Sequence, residues 1–435
     1  MYQVIKTRIE ISDAYANIIG HECYAASKLS NQMNYERRNW KELGLEEYPD
    51  WYYQKKVHKK DFWYKQLPSQ TAQEVCKDTE KSYKSYFRLK ETGGVENPGL
   101  PRFKQEPIAI KYMQNGIHYE KGSDEVRLTI ASSLKKFMKK EYGIDSEFIY
   151  LKNQGFREIN GNIKQIMIYP PKDNVIEVII NYEIGDVEIK EDNGRYLSID
   201  PGIHNPVTGY NSATGETFIA GREYASISRY HEKEIGNTKS QWMSIQSAKG
   251  VKYPKATSEH IRRMYAVRNN QLNDYLHKLT RNLVNYCIDN DINTMVIGNL
   301  KHIRENTLKK EKSGTEGATI SGNELRRQHQ NLHSFPFDRL YDLLEYKCAK
   351  AGIRFVKQNE MYSSQCSPLS PAVSKKYAAK DNRKVRGMYI DGCNSWNADV
   401  VGAFNILRLY LKSKKKNMVL DPMSIHTPYI RKVAV

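Results

Sequence analysis

Tyr196-Leu197-Ser198-Ile199-Asp200-Pro201-Gly202 is the stretch on which the fold turns. A short apolar strand that ends in a carboxylate and runs into a Pro-Gly turn sets that acid at the lip of a sheet. Working outward, Asn211-Ser212-Ala213-Thr214-Gly215-Glu216 reads as a hairpin turn before a strand at 217–220. A polar-apolar helical stretch, 254–289, precedes a buried-looking strand at 294–297. A loop rich in Lys, Gly, Ser and Thr, 305–323, reads as a mobile lid. A helix at 335–351, a strand at 353–356, a basic insert and a final helix at 398–411 complete the pattern. Strands alternating with helices predict an α/β unit over this half.

Upstream the pattern differs. Residues 2–11 alternate as a half-buried strand, and 13–43 and 69–90 read as helices. Ser69 is placed to cap the second of these, with Ala72, Val75, Thr79, Tyr83, Tyr86 and Phe87 near one face. From about 107 to 190 the chain reads as short strands, among them 165–169 and 174–182, separated by Pro and Gly turns. A helical piece inserted into one β-rich unit accounts for the first 190 residues.

Composition narrows the class. The chain has 435 residues, 39% of them apolar, which is enough for sizeable cores and excludes wholesale disorder. No run of about 18 apolar residues is present, so no membrane span or membrane partner is expected. The start, Met1-Tyr2-Gln3-Val4-Ile5-Lys6, lacks the apolar core of a secretory signal, and six scattered cysteines do not make a disulfide framework. A reducing, cytoplasmic setting is expected. With 68 Lys+Arg against 50 Asp+Glu the formal charge is +18, which attracts polyanions such as nucleic acid. The 31 tyrosines add faces for base stacking, although tyrosine also fills cores.

Asp399 opens the last helix, in Asn397-Ala398-Asp399-Val400-Val401-Gly402-Ala403, where small Gly402 and Ala403 let the helix approach the sheet. An acid at a helix start also has a purely structural use, through the helix dipole. The series Leu197 to Asn205, Thr294 to Lys301, Met361 to Cys366 and Asn397 to Leu407 resembles the RuvC-type nuclease core of the TnpB family. That family comprises transposon-encoded RNA-guided DNA endonucleases, ancestral to the compact type V CRISPR effectors. The blocks Leu67-Pro68-Ser69-Gln70 and Pro101-Arg102-Phe103-Lys104 are similar to the family's N-terminal half, so the resemblance runs from about 2 to 411.

The resemblance implies an α+β multidomain protein. Residues 1–11 and 106–190 would form a wedge, an oligonucleotide-binding-like barrel, with 12–105 as an inserted helical recognition lobe. Residues 195–365 and 395–411 would form the RNase H-like nuclease, 366–394 a degenerate target-nucleic-acid-binding insert, and 412–435 a basic tail. The implied partners are a guide RNA and target double-stranded DNA beside a short flanking motif, with base pairing selecting the sequence. The oligomeric state is left open, and a monomeric ribonucleoprotein is favoured.

Two departures from the family pattern matter. Many relatives carry a Glu after the second core strand, where this chain has Gly298. Many also carry two Cys-x-x-Cys pairs in the insert, here reduced to Cys366 and Cys393. Two sulfurs cannot complete a tetrahedral site, so zinc is not expected. Phosphodiester hydrolysis calls for Mg²⁺, expected as two ions about 3.5–4 Å apart, and Mg²⁺ prefers carboxylate oxygen. Asp200, Glu345 and Asp399 are the expected catalytic and magnesium-binding acids. Glu345 is chosen from the helix 335–351 because it flanks Leu344 on the packed face, with Asp342 and Glu360 as competitors. Asp274 and His277 resemble a family pair, with His277 read as structural or phosphate-facing. The alternatives are a nuclease-dead RNA-guided repressor, which Gly298 keeps open, and a transposase acting without RNA.

Overall fold

A computed structural model describes residues 2–93, 95–185, 187–202, 204–300, 335–383 and 387–433. The expected lid at 305–323 lies outside the described residues. The chain divides into two compact units, Met1–Asp186 and Val187–Val435.

In the first unit, β1 (Tyr2–Glu10) pairs antiparallel along its whole length with β7 (Val175–Glu183), in register from Tyr2 opposite Glu183 to Glu10 opposite Val175. The alternation of β7 buries Ile176, Val178, Ile180 and Tyr182 on one face. β6 (Asn162–Ile168) and β2 (Ile110–Met113) complete a four-stranded sheet. A second sheet joins β3 (Ile117–Tyr119), β4 (Glu125–Thr129) and β5 (Phe148–Lys152). Among the described residues these strands form two sheets, and the closed barrel expected of the wedge is not seen. Alternating patterns report strands but not whether the strands close on themselves.

Helices α1 (Asp13–Arg38), α2 (Trp51–Val57), α3 (Phe62–Lys65), α4 (Ser69–Thr92) and α5 (Ser132–Tyr142) belong to this unit. Ser69 is the first residue of α4 rather than its cap; Pro68 takes the cap position, where its missing N–H costs nothing. A buried network ties α1, α2 and α4 together. Arg37 donates from Nε to Gln54 Oε1 at 2.9 Å and pairs with Glu80, which also accepts from Trp51 N at 2.7 Å. The Pro101–Lys104 block is clamped onto α1 by Asn34 and Arg38 at the Pro101 carbonyl and by reciprocal bonds between Asn31 and Lys104.

The second unit is built on a six-stranded sheet in the order β12-β11-β8-β9-β10-β15. β8 (Tyr196–Asp200), β11 (Thr294–Gly298) and β12 (Arg354–Gln358) run parallel. β9 (Val207–Asn211) and β10 (Thr217–Ala220) form the expected hairpin. One face packs on α7 (Glu259–Asp289) and α8 (Phe337–Lys350) through Leu197, Ile199, Met295 and Ile297. The other packs on α9 (Ala398–Ser413) through Tyr196, Val296, Phe404 and Ile406. Cover on both faces explains why these strands read as near-continuous apolar runs. α6 (Arg222–Ala248) was not anticipated: it buries Tyr224, Ser228 and Ile235, too sparse a stripe for a periodicity signal. The sixth strand, β15 (Tyr429–Ile430), comes from the stretch read as a basic tail and pairs parallel with β10.

The insert carries a hairpin of β13 (Met388–Asp391) and β14 (Asn394–Asn397). Cys366 is buried and Cys393 exposed. Asn405 and Arg408 of α9 hydrogen-bond to the carbonyls of Ser363, Cys366 and Ser367, and Tyr389 donates to Gln365 O. Among the described residues no helix is long and apolar enough to cross a membrane.

Candidate active site

Parallel strands β8, β11 and β12 end side by side, so whatever leaves their carboxyl edges meets there. Asp200 is the last residue of β8 and is half-buried. Burial first, and then the negative charges of Glu360 and Asp399, push its carboxyl well above the usual carboxylate range, with Arg383 acting the other way. Gly402 of α9 lets this happen: a Cβ there would collide with Asp200 Oδ2.

Asp399 stands in the first turn of α9, capped by Asn397, whose side chain accepts from the Asp399 and Val400 amides. Its Oδ2 accepts from Asn205 Nδ2 at 2.7 Å, and Asn205 Oδ1 in turn accepts from Arg222 Nε at 2.7 Å. Asn205 lies in the turn that follows Asp200, where Gly202 N donates to Asn205 O. One strand exit therefore supplies an acid and also the residue that orients the other acid. Neither Asn205 nor Arg222 carries a sequence signal for that role.

The third acid at this edge is Glu360. β12 ends at Gln358, opposite Gly298 in the parallel register, and Glu360 follows two residues later. A Cβ on Gly298 would collide with Glu360 Oε2 and stand 3.0 Å from both Pro201 Cδ and Ile406 Cδ1. Burial lifts the Glu360 carboxyl to about 7, and its Oε2 is buried with no hydrogen-bond partner among the described residues. Tyr341 of α8 closes this edge, donating to Gly298 O at 2.8 Å.

Glu345 is not brought to this edge. It is exposed and pairs with Lys357 at 2.8 Å. The reason is direction along the helix: α8 runs back from the edge where β11 ends, so its early residues lie nearest that edge. Tyr341 reaches Gly298, and Glu345 sits four residues further on, about 6 Å along the axis. Asp274 bridges to Lys278 at 3.0 Å, and burial with nearby Lys347 and Arg339 lowers His277 below its ordinary value.

Among the described residues no three His, Cys, Asp or Glu side chains close tightly enough to enclose a metal ion. The donor set nonetheless fits one. Burial and the neighbouring Glu360 and Asp399 charges raise the proton affinity of Asp200, the buried Oε2 of Glu360 has no partner among the described residues, and all the donors are oxygen. Mg²⁺ suits such a set, since it is commonly held by one or two carboxylates with the remaining ligands from substrate phosphate and water.

The fold and site together define a mixed α/β protein with acids gathered at the carboxyl edge of parallel strands. Residues 179–304 match the family described as OrfB_IS605, probable transposase, and residues 337–406 match that described as Cas12f1-like, TNB domain. Comparison with curated proteins gives no match. Among solved structures, the chain in a Cas12f1-sgRNA-target DNA complex is similar at TM-score 0.52 and 13% identity, over 91% of this chain and 83% of that one. The mini-RNA-guided endonuclease CRISPR-Cas_phi3 aligns at TM-score 0.47 and 11% identity, over 94% and 92%. Over residues 179–304 and 337–406 the chain therefore resembles TnpB-like proteins.

Proposed function

We propose that the protein is an RNA-guided, Mg²⁺-dependent DNA endonuclease that hydrolyses phosphodiesters at the edge formed by Asp200, Glu360 and Asp399. The observation that carries this reading is the Oε2 of Glu360, buried without a hydrogen-bond partner among the described residues, in the space left by Gly298 beside Asp200. Carboxylates that gather at one edge and leave a buried oxygen unpaired suit a cation. Glu360 supports this reading over the nuclease-dead alternative, because it places an acid beside Gly298 from just past the end of the neighbouring strand.

Magnesium, when bound, neutralises phosphate charge and activates water for attack on phosphorus. The residues of this chain do the rest. Asp200, Glu360 and Asp399 would hold the ion, Asn205 fixes the rotamer of Asp399, and Gly298 and Gly402 leave room for the Glu360 and Asp200 carboxylates. The +18 charge favours binding of guide and target backbones. The same reading assigns 195–365 and 395–411 to the nuclease, 366–394 to its insert, and the first unit to flanking-motif recognition and guide binding. It also covers the expectation of a monomeric ribonucleoprotein.

The test is to purify the protein with the RNA that copurifies, sequence that RNA, and offer a DNA duplex matching its variable end. Cleavage that requires both the RNA and Mg²⁺ and is lost in Asp200→Ala is the expected result. RNA-free protein that cuts the same duplex at the same rate would favour a transposase acting without RNA. RNA-dependent binding without cleavage would favour the repressor.

A further inference from the structure

Lys347 is 3% exposed, on the face of α8 that packs against α7. Its Nζ donates to His277 O at 2.6 Å and Thr280 Oγ1 at 2.7 Å, both neutral acceptors. An ammonium has three donors, and among the described residues no carboxylate pairs with this one. Burial together with the guanidinium groups of Arg281 and Arg339 holds it down to about 8. The same surroundings lower His277.

These groups frame an open cavity of about 500 Å³, lined by His277, Lys278, Arg281, Asn282, Tyr346 and Lys347 among others. On α7, residues 277, 278, 281 and 282 fall at helical spacing on one face, so cations recur one turn apart. Arg431 joins them, donating from Nε to Asn282 Oδ1 at 2.5 Å. Asp274, one turn earlier on α7 itself, bridges to Lys278, and among the described residues neither Arg281 nor Lys347 has a carboxylate partner.

A lone buried ammonium among guanidinium groups works against folding, and a methionine of similar length would pack there more stably. Uncompensated positive charge in a concavity focuses its field and gathers anions. The cavity is too large for a single small ion, and cations one helical turn apart suit successive phosphates. We propose that this cavity between α7 and α8 is a nucleic-acid backbone site in which Lys347, Arg281 and Lys278 receive the phosphates of a bound polynucleotide. This rests on the reading above insofar as the partner is a polynucleotide, but it does not involve the acids.

The test uses the full chain, with Arg281→Gln and Lys347→Met measured by fluorescence anisotropy over a range of salt. The probes are a labelled copy of the copurifying RNA and a labelled DNA duplex. Each variant is expected to weaken binding about three- to tenfold and to reduce the salt slope by about one ion. Lys347→Met is expected to melt at or above the wild-type temperature. Loss in the RNA arm alone assigns the site to the guide, and loss in the DNA arm alone assigns it to the target. Unchanged affinity and salt slope in both arms for Arg281→Gln, an exposed residue whose loss leaves the core intact, would overturn the proposal while leaving the nuclease reading standing. Wild-type protein that binds neither probe would overturn that reading and this site with it.

Discussion

Glu360 fills the space that Gly298 leaves open: a Cβ at 298 would collide with its Oε2. The strand β11 ends at Gly298 without an acid, and β12, its parallel neighbour, brings Glu360 beside that position from two residues past its end. Glu360→Gln is expected to lower cleavage at least a hundredfold, equivalent to about 3 kcal/mol of barrier, with RNA and target binding kept. Gly298→Ala should cost tenfold or more by displacing Glu360, since Pro201 and Ile406 close the other sides. The double variant Gly298→Glu with Glu360→Ala moves the acid back to β11 and should recover part of the activity lost in Glu360→Ala. Cleavage rates at saturating guide measure all four. Gly298→Ala cutting at the wild-type rate would show that the two residues are not coupled.

Glu345→Gln is expected to cut DNA within about threefold of wild type. Its carboxylate meets Lys357 on an exposed surface, and such a pair contributes about 0–1 kcal/mol. Melting temperature should move little. A loss of a hundredfold or more in Glu345→Gln, with Glu360→Gln active, would return the third-acid role to α8.

What could be read from the sequence is the part that depends on local pattern. Asp200 was legible because an apolar strand ends in it before Pro201-Gly202, and Asp399 because a helix with small, close-packing residues starts at it. Glu360 is only a competitor to Glu345 on sequence alone. Gln358-Asn359-Glu360-Met361 has no periodicity, and the nearness of 298 and 360 arises from strand order, which only the folded sheet defines. The apolar face of α8 was also legible; its direction relative to the acid edge was not, and that decides between Tyr341 and Glu345. β15 escaped notice because a two-residue strand carries no alternation to detect.

Asn205→Ala removes the donor that holds Asp399, at 2.7 Å. Turnover should fall about tenfold, and the Mg²⁺ concentration giving half-maximal cleavage should rise, with guide affinity unchanged. Asn205→Asp should be worse than Asn205→Ala, because it brings a like charge to Asp399 and still accepts from Arg222. Equal rates for the two variants would mean that Asn205 fills space without orienting the acid.

Glu22 in α1 is fully buried, accepts from Tyr112 Oη at 2.6 Å, and has its carboxyl raised by burial from 4.5 to about 8. The folded protein holds this proton in the window between those values, where the unfolded chain has released it. The contribution of this group to stability is therefore fully present below about 4.5 and is lost as pH rises toward 8. Glu22→Gln mimics the protonated acid, so its melting temperature should gain on wild type steadily from pH 5 to about pH 8. A wild-type-to-variant difference that stays constant over that window would place the Glu22 proton elsewhere.

The segment 424–431 is expected to hold the second unit together. Arg431 N donates to Ile219 O at 2.8 Å, extending the pairing of β15 with β10, and its guanidinium lies 4.9 Å from the Tyr286 ring centroid. Upstream, Thr217 Oγ1 donates to His426 O at 2.7 Å, and Gly215, at φ +70°, packs against the Ser424 backbone so closely that a Cβ would collide with it. Arg431→Pro removes the N–H and the guanidinium together, which should cost about 2–3 kcal/mol from a lost ladder bond and an orphaned carbonyl. For a unit of this size each kcal/mol lowers the melting temperature by about 2–4 °C, so a fall of about 4–12 °C is expected. Arg431→Ala keeps the N–H and should fall by less than half as much. Cleavage at saturating nucleic acid and a temperature well below both transitions should stay near wild type, because β10 and β15 lie at the opposite side of the sheet from β11 and β12. If Arg431→Pro melts with wild type, the last strand is an ornament of the sheet rather than a support. If it melts with wild type yet binds nucleic acid more weakly, Arg431 serves the cavity between α7 and α8 instead.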